Sequence, residues 1–322
     1  MKVQALVYKF GVLLISVTLL AHTLKAQSDY DLTQRWMNES MYNPAAVGNS
    51  FTTGVFLHGR VQWLGLDGAP LTQTVTFDTY ADNISSAFGV VFSRDEIGYL
   101  TSYTAKLSYA YYIPLTTKST VSLGLSAGLF NRNRKLEEGM SEQSNDPVLA
   151  YKRVSNYAPE FDFGIEYKGP FKLGASVRHL GIYGDSKLPS PSLNIWTYLS
   201  SRFNITQTIS IEPCVSYMYR NKIGRGEGGS LFYFMKTENR NTYNDRFWLG
   251  GMYRFHGQFA ILAGVNITSK MRLGYSFDYG TGDLSTISRS GTHEIFLSWQ
   301  FNRIFYKEET CPAYKSYERR RK

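Results

Sequence analysis

Ser102-Tyr103-Thr104-Ala105-Lys106-Leu107-Ser108-Tyr109-Ala110-Tyr111-Tyr112-Ile113 repeats with a period of two. Tyr103, Ala105, Leu107, Tyr109, Tyr111 and Ile113 share one face, and Ser102, Thr104, Lys106 and Ser108 share the other. Side chains alternate across an extended strand, so the stretch predicts a strand with one apolar and one polar wall. The pattern recurs. Val121, Leu123, Leu125, Ala127 and Leu129 oppose Ser122, Gly124, Ser126 and Gly128, and Phe161, Phe163, Ile165 and Tyr167 oppose Glu160, Asp162, Gly164 and Glu166. Phe171, Leu173, Ala175 and Val177 oppose Lys172, Gly174, Ser176 and Arg178, and Leu273, Tyr275, Phe277 and Tyr279 oppose Arg272, Gly274, Ser276 and Asp278. The charges keep to one face from strand to strand, so Lys106 is expected to point inward.

A soluble β-sandwich also alternates, so the period alone does not separate lumen from solvent. Two features select a membrane barrel. The apolar faces end in Tyr, Phe or Trp, as interfacial girdles require. The final predicted strand, Glu294 to Phe301, closes on Trp299-Gln300-Phe301. Composition agrees: 24 Tyr and 20 Phe bring aromatics to 15 % of 322 residues, while charged residues reach 19 %. Beyond residue 26 no run of about eighteen apolar residues occurs, which argues against a helical membrane protein.

The expected fold is therefore all-β, a transmembrane antiparallel barrel of about 14 strands. They lie near 52–63, 70–81, 86–94, 99–113, 119–131, 157–168, 170–179, 192–204, 207–220, 229–238, 245–255, 258–268, 271–280 and 292–301. An even number of strands places both termini in the periplasm. The connections 132–156, 180–191, 221–228 and 281–291 then form the long outer loops, and a miscount is most expected within 230–258.

Four segments are expected: a signal peptide at 1–26, an N-terminal periplasmic or lumenal segment at 27–50, the barrel at 51–301 and a basic periplasmic tail at 302–322. Lys2 and Lys9 flank the apolar run Gly11 to Ala21, and Leu24-Lys25-Ala26 supplies a small-residue cleavage site, so Gln27 begins the mature chain. Trp36, Met37, Met41 and Tyr42 make 27–50 too apolar for a free tail. The formal charge of +9 includes three lysines of the signal, and residues 302–322 hold seven Lys or Arg against three Glu, so the barrel itself is near neutral. No basic helix or zinc pattern accompanies that charge, and nucleic acid is not an expected partner. The two cysteines, Cys214 in a strand and Cys311 in the tail, form no disulfide framework.

Chemistry is sparse. His58, His179, His256 and His293 are scattered singly, with no metal-ligand spacing, so no metal, no cofactor and no catalytic residue is expected. His293-Glu294 after Ser290-Gly291 is the one cluster that a membrane hydrolase could use, and a rim loop explains it as well. Gly224-Arg225-Gly226-Glu227-Gly228-Gly229 lacks the Lys-Ser or Lys-Thr ending of a phosphate loop and reads as a flexible surface loop.

Two segments carry more than a pattern. Tyr42-Asn43-Pro44-Ala45-Ala46-Val47-Gly48-Asn49 places an Asn-Pro turn ahead of the first strand, with Gly48 able to take positive φ. Arg60-Val61-Gln62-Trp63-Leu64-Gly65-Leu66-Asp67-Gly68-Ala69-Pro70-Leu71-Thr72 joins the first two strands as a hairpin with an interfacial Trp63. At these residues the chain resembles the PorP/SprF family of type IX secretion system outer-membrane proteins of Bacteroidota. Asn43, Pro44, Ala45 and Gly48 match the family's opening Asn-Pro-Ala-Tyr-Ala-Gly, with Ala46 and Val47 replacing the usual pair. Arg60, Gln62, Trp63, Gly68, Pro70 and Thr72 match its Arg-x-Gln-Trp…Gly-x-Pro-x-Thr element, and Asp95 and Gly98 its Asp-x-x-Gly turn. Tyr109-Ala110-Tyr111, Leu123 to Gly128, Tyr275, Asp278 and His293-Glu294-Ile295 follow in order.

The resemblance implies a non-enzymatic barrel in outer-membrane lipid. Its partners would be periplasmic and outer-membrane secretion-system proteins, or the C-terminal sorting domains of secreted cargo, and some members are linked to gliding motility. The tail, with Cys311, Pro312, Tyr314, Arg319, Arg320 and Arg321, is the expected docking segment. The rival reading is a diffusion porin or a transporter of hydrophobic substrates.

Overall fold

The computed structural model describes residues 30–135, 153–181, 191–239, 242–255, 257–281 and 290–301. The strands are β1 (Thr53–Val61), β2 (Leu71–Ala81), β3 (Ser86–Ile97), β4 (Leu100–Thr116), β5 (Ser119–Lys135), β6 (Arg153–Lys168), β7 (Lys172–Gly181) and β8 (Asn194–Ser200). They continue with β9 (Phe203–Asn204), β10 (Ile209–Arg220), β11 (Ile223–Asn239), β12 (Thr242–Arg254), β13 (Gln258–Asn266), β14 (Met271–Gly280) and β15 (Thr292–Phe301). β9 resumes the line of β8 after a break at Ser201 and Arg202, and both pair with β10, so the fifteen segments make fourteen staves. β1 pairs with β15 from Thr53↔Phe301 to Val61↔His293 and with β2 on its other side, which closes the sheet on itself. Every stave is antiparallel to its neighbours, and closure leaves no edge to satisfy in lipid.

Burial is inverted relative to a water-soluble protein. Leu107, Leu129, Phe163, Ile261, Ile295 and Trp299 are exposed on the outer wall, whereas Ser126, Glu160, Ser276, Asp278 and Glu294 are buried inside. An apolar outer wall of this kind is stable only against hydrocarbon, and Lys106 indeed points inward, as its alternation requires.

One rim, the near rim, holds the start of β1, the end of β15 and the short connections 82–85, 117–118, 169–171, 205–208, 240–241 and 267–270. The far rim holds the longer connections 62–70, 136–152, 182–193 and 281–291 and three tight turns. The segment 224–229 departs from expectation. It is not a surface loop but lies within β11, paired along β10 from Tyr219↔Gly224 to Cys214↔Gly229. Asn221 (φ 49) and Lys222 (φ 66) both adopt left-handed conformations and close that hairpin in two residues. The chain saves a loop there because the glycines tolerate the sheet, and the miscount expected within 230–258 does not occur, since β11, β12 and the start of β13 are the staves counted there. The β3–β4 and β12–β13 connections are short as well: β3 runs on to Ile97, and Gly98 (φ 56) and Gly257 (φ 88) take the positive φ of tight turns.

Residues 30–52 fill the lumen as an irregular strap with three short 3-10 turns, Thr33–Met37, Glu39–Met41 and Pro44–Ala46. Its first residue, Tyr30, lies with Asp95, Arg132 and His179 at the far rim, and Gly48 packs on Ala87 and Tyr80 at the near rim. The strap thus crosses the barrel from far rim to near rim before β1 turns back into the wall. The strand ends Thr53 and Phe301 share a rim, as an even stave count requires, but the described N-terminal residues do not.

Candidate functional site

The lumen wall has two halves, and the strap is written to match both. From β14 through β15 to β7 the inward side chains are mostly Ser, Thr and charged groups, interrupted by Phe56, Phe130, Phe296 and the near-rim pair Tyr80 and Tyr112 against which Phe51 packs; from β8 to β13 they include Trp196, Cys214, Met218, Leu231, Trp248 and Leu262, with Glu227 and Arg254 toward the far rim. Leu32, Trp36, Met41 and Tyr42 of the strap bury themselves in the apolar half. Trp36 meets Trp196 and Tyr198 edge-on with centroids 6.3 and 6.2 Å apart, and Tyr42 lies 5.3 Å from Trp196. Such contacts give apolar burial together with favourable ring geometry.

Toward the far rim the strap is held by charge, from β14, β15 and β1 of the polar half and from Glu227 on β11 and Arg254 on β12. The backbone N–H groups of Thr33 and Gln34 donate to the Glu294 carboxylate at 2.8 and 2.9 Å, and the Thr33 hydroxyl donates to Asp278 at 2.7 Å. Arg60 bridges both carboxylates, at 2.7 Å to Asp278 and 3.0 Å to Glu294, and also donates to Thr33 Oγ1 at 2.8 Å. Arg254 reaches Asp278 at 3.0 Å and Glu227 at 2.6 Å, and Glu227 takes Arg35 of the strap at 2.7 Å and the Trp36 indole N–H at 3.1 Å. Arg35 in turn pairs with Asp31 one turn back. Burial would raise the Asp31 carboxyl, but Arg35, with Arg254, Arg220 and Arg225 around it, outweighs that and holds it below the usual carboxylate range. Charges buried this completely are tolerated because each is met by opposite charge and hydrogen bonds.

Lower down, Asn43 makes the elbow. Its side-chain oxygen accepts from Ala45 N at 3.0 Å and caps the turn that Pro44 opens, while its amide donates to Tyr198 OH at 3.1 Å and Ile165 O at 3.2 Å. Ala45 O and Val47 O accept from Ser122 and Tyr112 at 2.7 and 2.6 Å, and Gly48 N donates to Asp78 at 3.2 Å. The elbow comes so close to the wall that a Cβ on Gly124 would sit 2.1 Å from Ala45 N, and one on Gly164 would sit 1.9 Å from Asn43 Oδ1. Gly124→Val is therefore expected to expel the elbow and cost about 3 kcal/mol or more. A matching shift of the urea unfolding midpoint checks this, and an unchanged midpoint would mean that the elbow is not seated on β5.

Of the residues singled out by sequence, Asn43, Pro44, Ala45, Gly48 and Arg60 are lumenal and buried, and they anchor the strap. Gln62, Trp63, Gly68, Pro70, Asp95 and Gly98 gather instead at the far rim. Gln62 N donates to Pro70 O at 2.9 Å, Trp63 (φ 54) donates its N–H to Thr292 Oγ1 at 3.2 Å, and Thr72 donates to Asp95 at 2.6 Å. Gly68 (φ 71) and Gly98 (φ 56) bring the β1–β2 and β3–β4 connections together through a Gly98 N–H to Gly68 O bond of 3.0 Å. Cys214 faces inward, with its Sγ 3.6 Å from Met252 Sδ. Cys311, Pro312, Tyr314, Arg319, Arg320 and Arg321 lie outside the described residues, as do His256 and the acidic Glu137, Glu138, Glu142 and Asp146. His293 bonds Tyr275 OH (2.6 Å) on the outer wall, and no group of three potential metal ligands occurs among the described residues.

Sequence reading did not single out Glu227, Arg254, Glu166, Asp78 or Tyr198 as strap partners. Alternation places Asp278 and Glu166 on the lumenal face, but only the closed barrel brings β11, β12, β14, β15 and β1 around one point.

An all-antiparallel closed barrel, apolar outside and filled with a polar and aromatic core, is an integral outer-membrane protein. Among solved structures the Ralstonia pickettii toluene transporter TbuX superposes with a TM-score of 0.52 at 12 % identity, covering 82 % of this chain and 93 % of that one. The CymD monoaromatic hydrocarbon channel (TM-score 0.48, 11 % identity, 87 % and 96 % covered) and the Acinetobacter baumannii outer membrane protein Omp33 (0.42, 13 %, 78 % and 99 %) are also similar. No curated protein matches the chain. The family described as type IX secretion system membrane protein PorP/SprF matches residues 24–299, and the chain belongs to it.

Proposed function

We propose that this protein is a non-enzymatic outer-membrane part of the type IX secretion system that links periplasmic machinery to the export or surface anchoring of cargo proteins, gliding adhesins included. The observation that carries the reading is the filled lumen. A diffusion porin needs a wettable bore, and withdrawing the strap here would leave Trp196, Trp248, Leu231 and Leu262 facing water. A barrel that cannot cheaply empty acts by what it binds at its rims and ends.

The partners on this reading are periplasmic and outer-membrane secretion-system proteins and the C-terminal sorting domains of cargo. The near rim, with its short connections and the exit of β15, faces the periplasm, and the tail 302–322 docks there through Arg319, Arg320, Arg321 and the Cys311-Pro312-Ala313-Tyr314 segment. Removing the whole chain is expected to abolish surface display of dependent cargo while leaving small-solute uptake unchanged, and the purified barrel is expected to give no steady single-channel conductance in planar bilayers. An uptake defect with intact display would favour the transporter reading. Deleting 307–322 is expected to leave heat-modifiable barrel in the membrane but to lose partner co-purification. Unchanged co-purification and export would remove the docking role of the tail.

A further inference from the structure

Closing the ring requires one pairing unlike the rest. Among the described staves every other pairing joins neighbours along the chain, as hairpins do, whereas β1 and β15 join the two ends of the barrel. Arg60 and Glu294 face each other in that seam although 234 positions apart. Long-range pairing meets its loop-closure entropy before its contacts reward it, so the seam forms late. The strap touches the seam at this pair. Because β1 folds back along the strap, Thr33 Oγ1 takes the Arg60 guanidinium at 2.8 Å from only 27 positions away. The N–H groups of Thr33 and Gln34 then reach across to β15, donating to Oε2 and Oε1 of Glu294 at 2.8 and 2.9 Å. The Gln34 side-chain amide adds a bond to the Glu294 backbone carbonyl at 3.3 Å, and the Thr33 hydroxyl one to Asp278 of β14 at 2.7 Å. Both oxygens of the Glu294 carboxylate are thus held by donors from the strap and β1.

Thr292, Glu294, Phe296 and Ser298 are the inward residues of β15, and of these only Glu294 is acidic. A slip of one residue in the seam turns Glu294 toward lipid, and a slip of two sets Thr292 or Phe296 opposite Arg60. Either slip leaves the buried guanidinium without this carboxylate, which is costly. We propose that the strap is an internal clasp for ring closure: it seats on β1 first, presents Thr33, Gln34 and Arg60 as a receptor for Glu294, and so recruits β15 and sets the register of the seam. A receptor tethered to β1 raises the effective concentration of the partner that β15 must find. The strap then has a role in assembly as well as in filling the lumen. Such a clasp works whatever the closed barrel goes on to do, so its failure leaves the secretion reading untouched.

The test follows refolding of the chain from urea into detergent micelles, in a Cys214→Ser, Cys311→Ser background. Leu57 and Leu297 are partners in the seam, so Leu57→Cys with Leu297→Cys reports the native register by oxidative crosslinking. Leu57→Cys with Ile295→Cys, or with Trp299→Cys, reports slips of two residues in either direction. Glu294→Gln keeps the size of the side chain but not its charge. Thr33→Pro removes the hydroxyl and one strap N–H where the preceding Leu32 is already extended (φ −85, ψ 140), as a proline requires. Each variant is expected to slow closure about tenfold and to yield crosslinks in slipped registers. Trp36→Phe, which alters the strap's seat on the apolar side, is expected to speed unfolding and to leave closure rate and register as they are. A rate and register unmoved by both Glu294→Gln and Thr33→Pro, or an equal slowing by Trp36→Phe, would overturn the clasp. The order of events is read with Leu32→Cys, at a fully buried strap position. This thiol is expected to become protected from maleimide before the native-register crosslink forms, and a seam that crosslinks while the thiol still reacts would overturn the clasp as well.

Discussion

A chain lacking residues 30–48 is expected to lose the folded, SDS-resistant barrel or to unfold at a much lower urea concentration, with a destabilisation on the order of 10 kcal/mol. The strap covers one side of a wall that includes Trp196, Trp248, Leu231, Met252 and Leu262, all buried. Each such side chain returned to water costs roughly 1.5–3 kcal/mol, and several are returned together. The polar half responds differently: Arg60, Asp278 and Glu294 lose Thr33 and Gln34 but gain water, so most of the loss comes from the β8–β13 side. Heat-modifiable mobility and urea titration of the refolded protein measure the effect. A truncated barrel that unfolds at the original midpoint and conducts ions would make the strap a removable hatch and would favour the porin reading.

Arg60→Leu is expected to cost about 3–5 kcal/mol, more than any exposed charge in this chain. The guanidinium holds two carboxylates from separate staves, Asp278 on β14 and Glu294 on β15, and binds the strap through Thr33. Its loss leaves Arg254 alone to face Asp278, while Glu294, whose side chain is fully buried, keeps only neutral donors and His58 at 3.7 Å. Arg60→Lys is expected to recover part of the stability but not all, since one ammonium cannot reproduce contacts that the planar guanidinium spreads over three groups. Urea midpoints of the two variants test this. If Arg60→Leu equals the parent protein, Asp278 and Glu294 are stabilised by something other than Arg60. For comparison, the Arg94–Glu96 pair is only partly buried, on the outer wall, and its removal is expected to change stability by less than about 1 kcal/mol.

How far the lumen could be read in advance depends on the range of the interaction. Lys106 is assigned to the interior by its neighbours in sequence, because alternation is local, and it pairs there with Glu160 and Asp162 at 2.9 and 2.8 Å. Gly124 and Gly164 appear in the sequence merely as small residues on the polar face. Their need to be glycine comes from Asn43 and Ala45, which are distant in sequence and approach only in the closed barrel. The segment Gly224 to Gly229 reads as a loop because glycine disfavours a strand when judged alone, whereas β10 pairs with all of it and β12 joins from Glu227 onward, supplying the backbone partners.

The amino-acid sequence by itself determined the all-β barrel of about fourteen staves, the sidedness of the five clearly alternating strands and the family, because these depend on a period of two and on short ordered motifs. The tertiary structure alone decided that residues 30–52 cross the lumen from far rim to near rim, that Arg60, Arg254, Asp278, Glu294 and Glu227 meet around Thr33 and Arg35, and that the lumen has a polar and an apolar half. Those facts depend on which staves face one another across a closed ring, and no local pattern encodes a distance across a lumen.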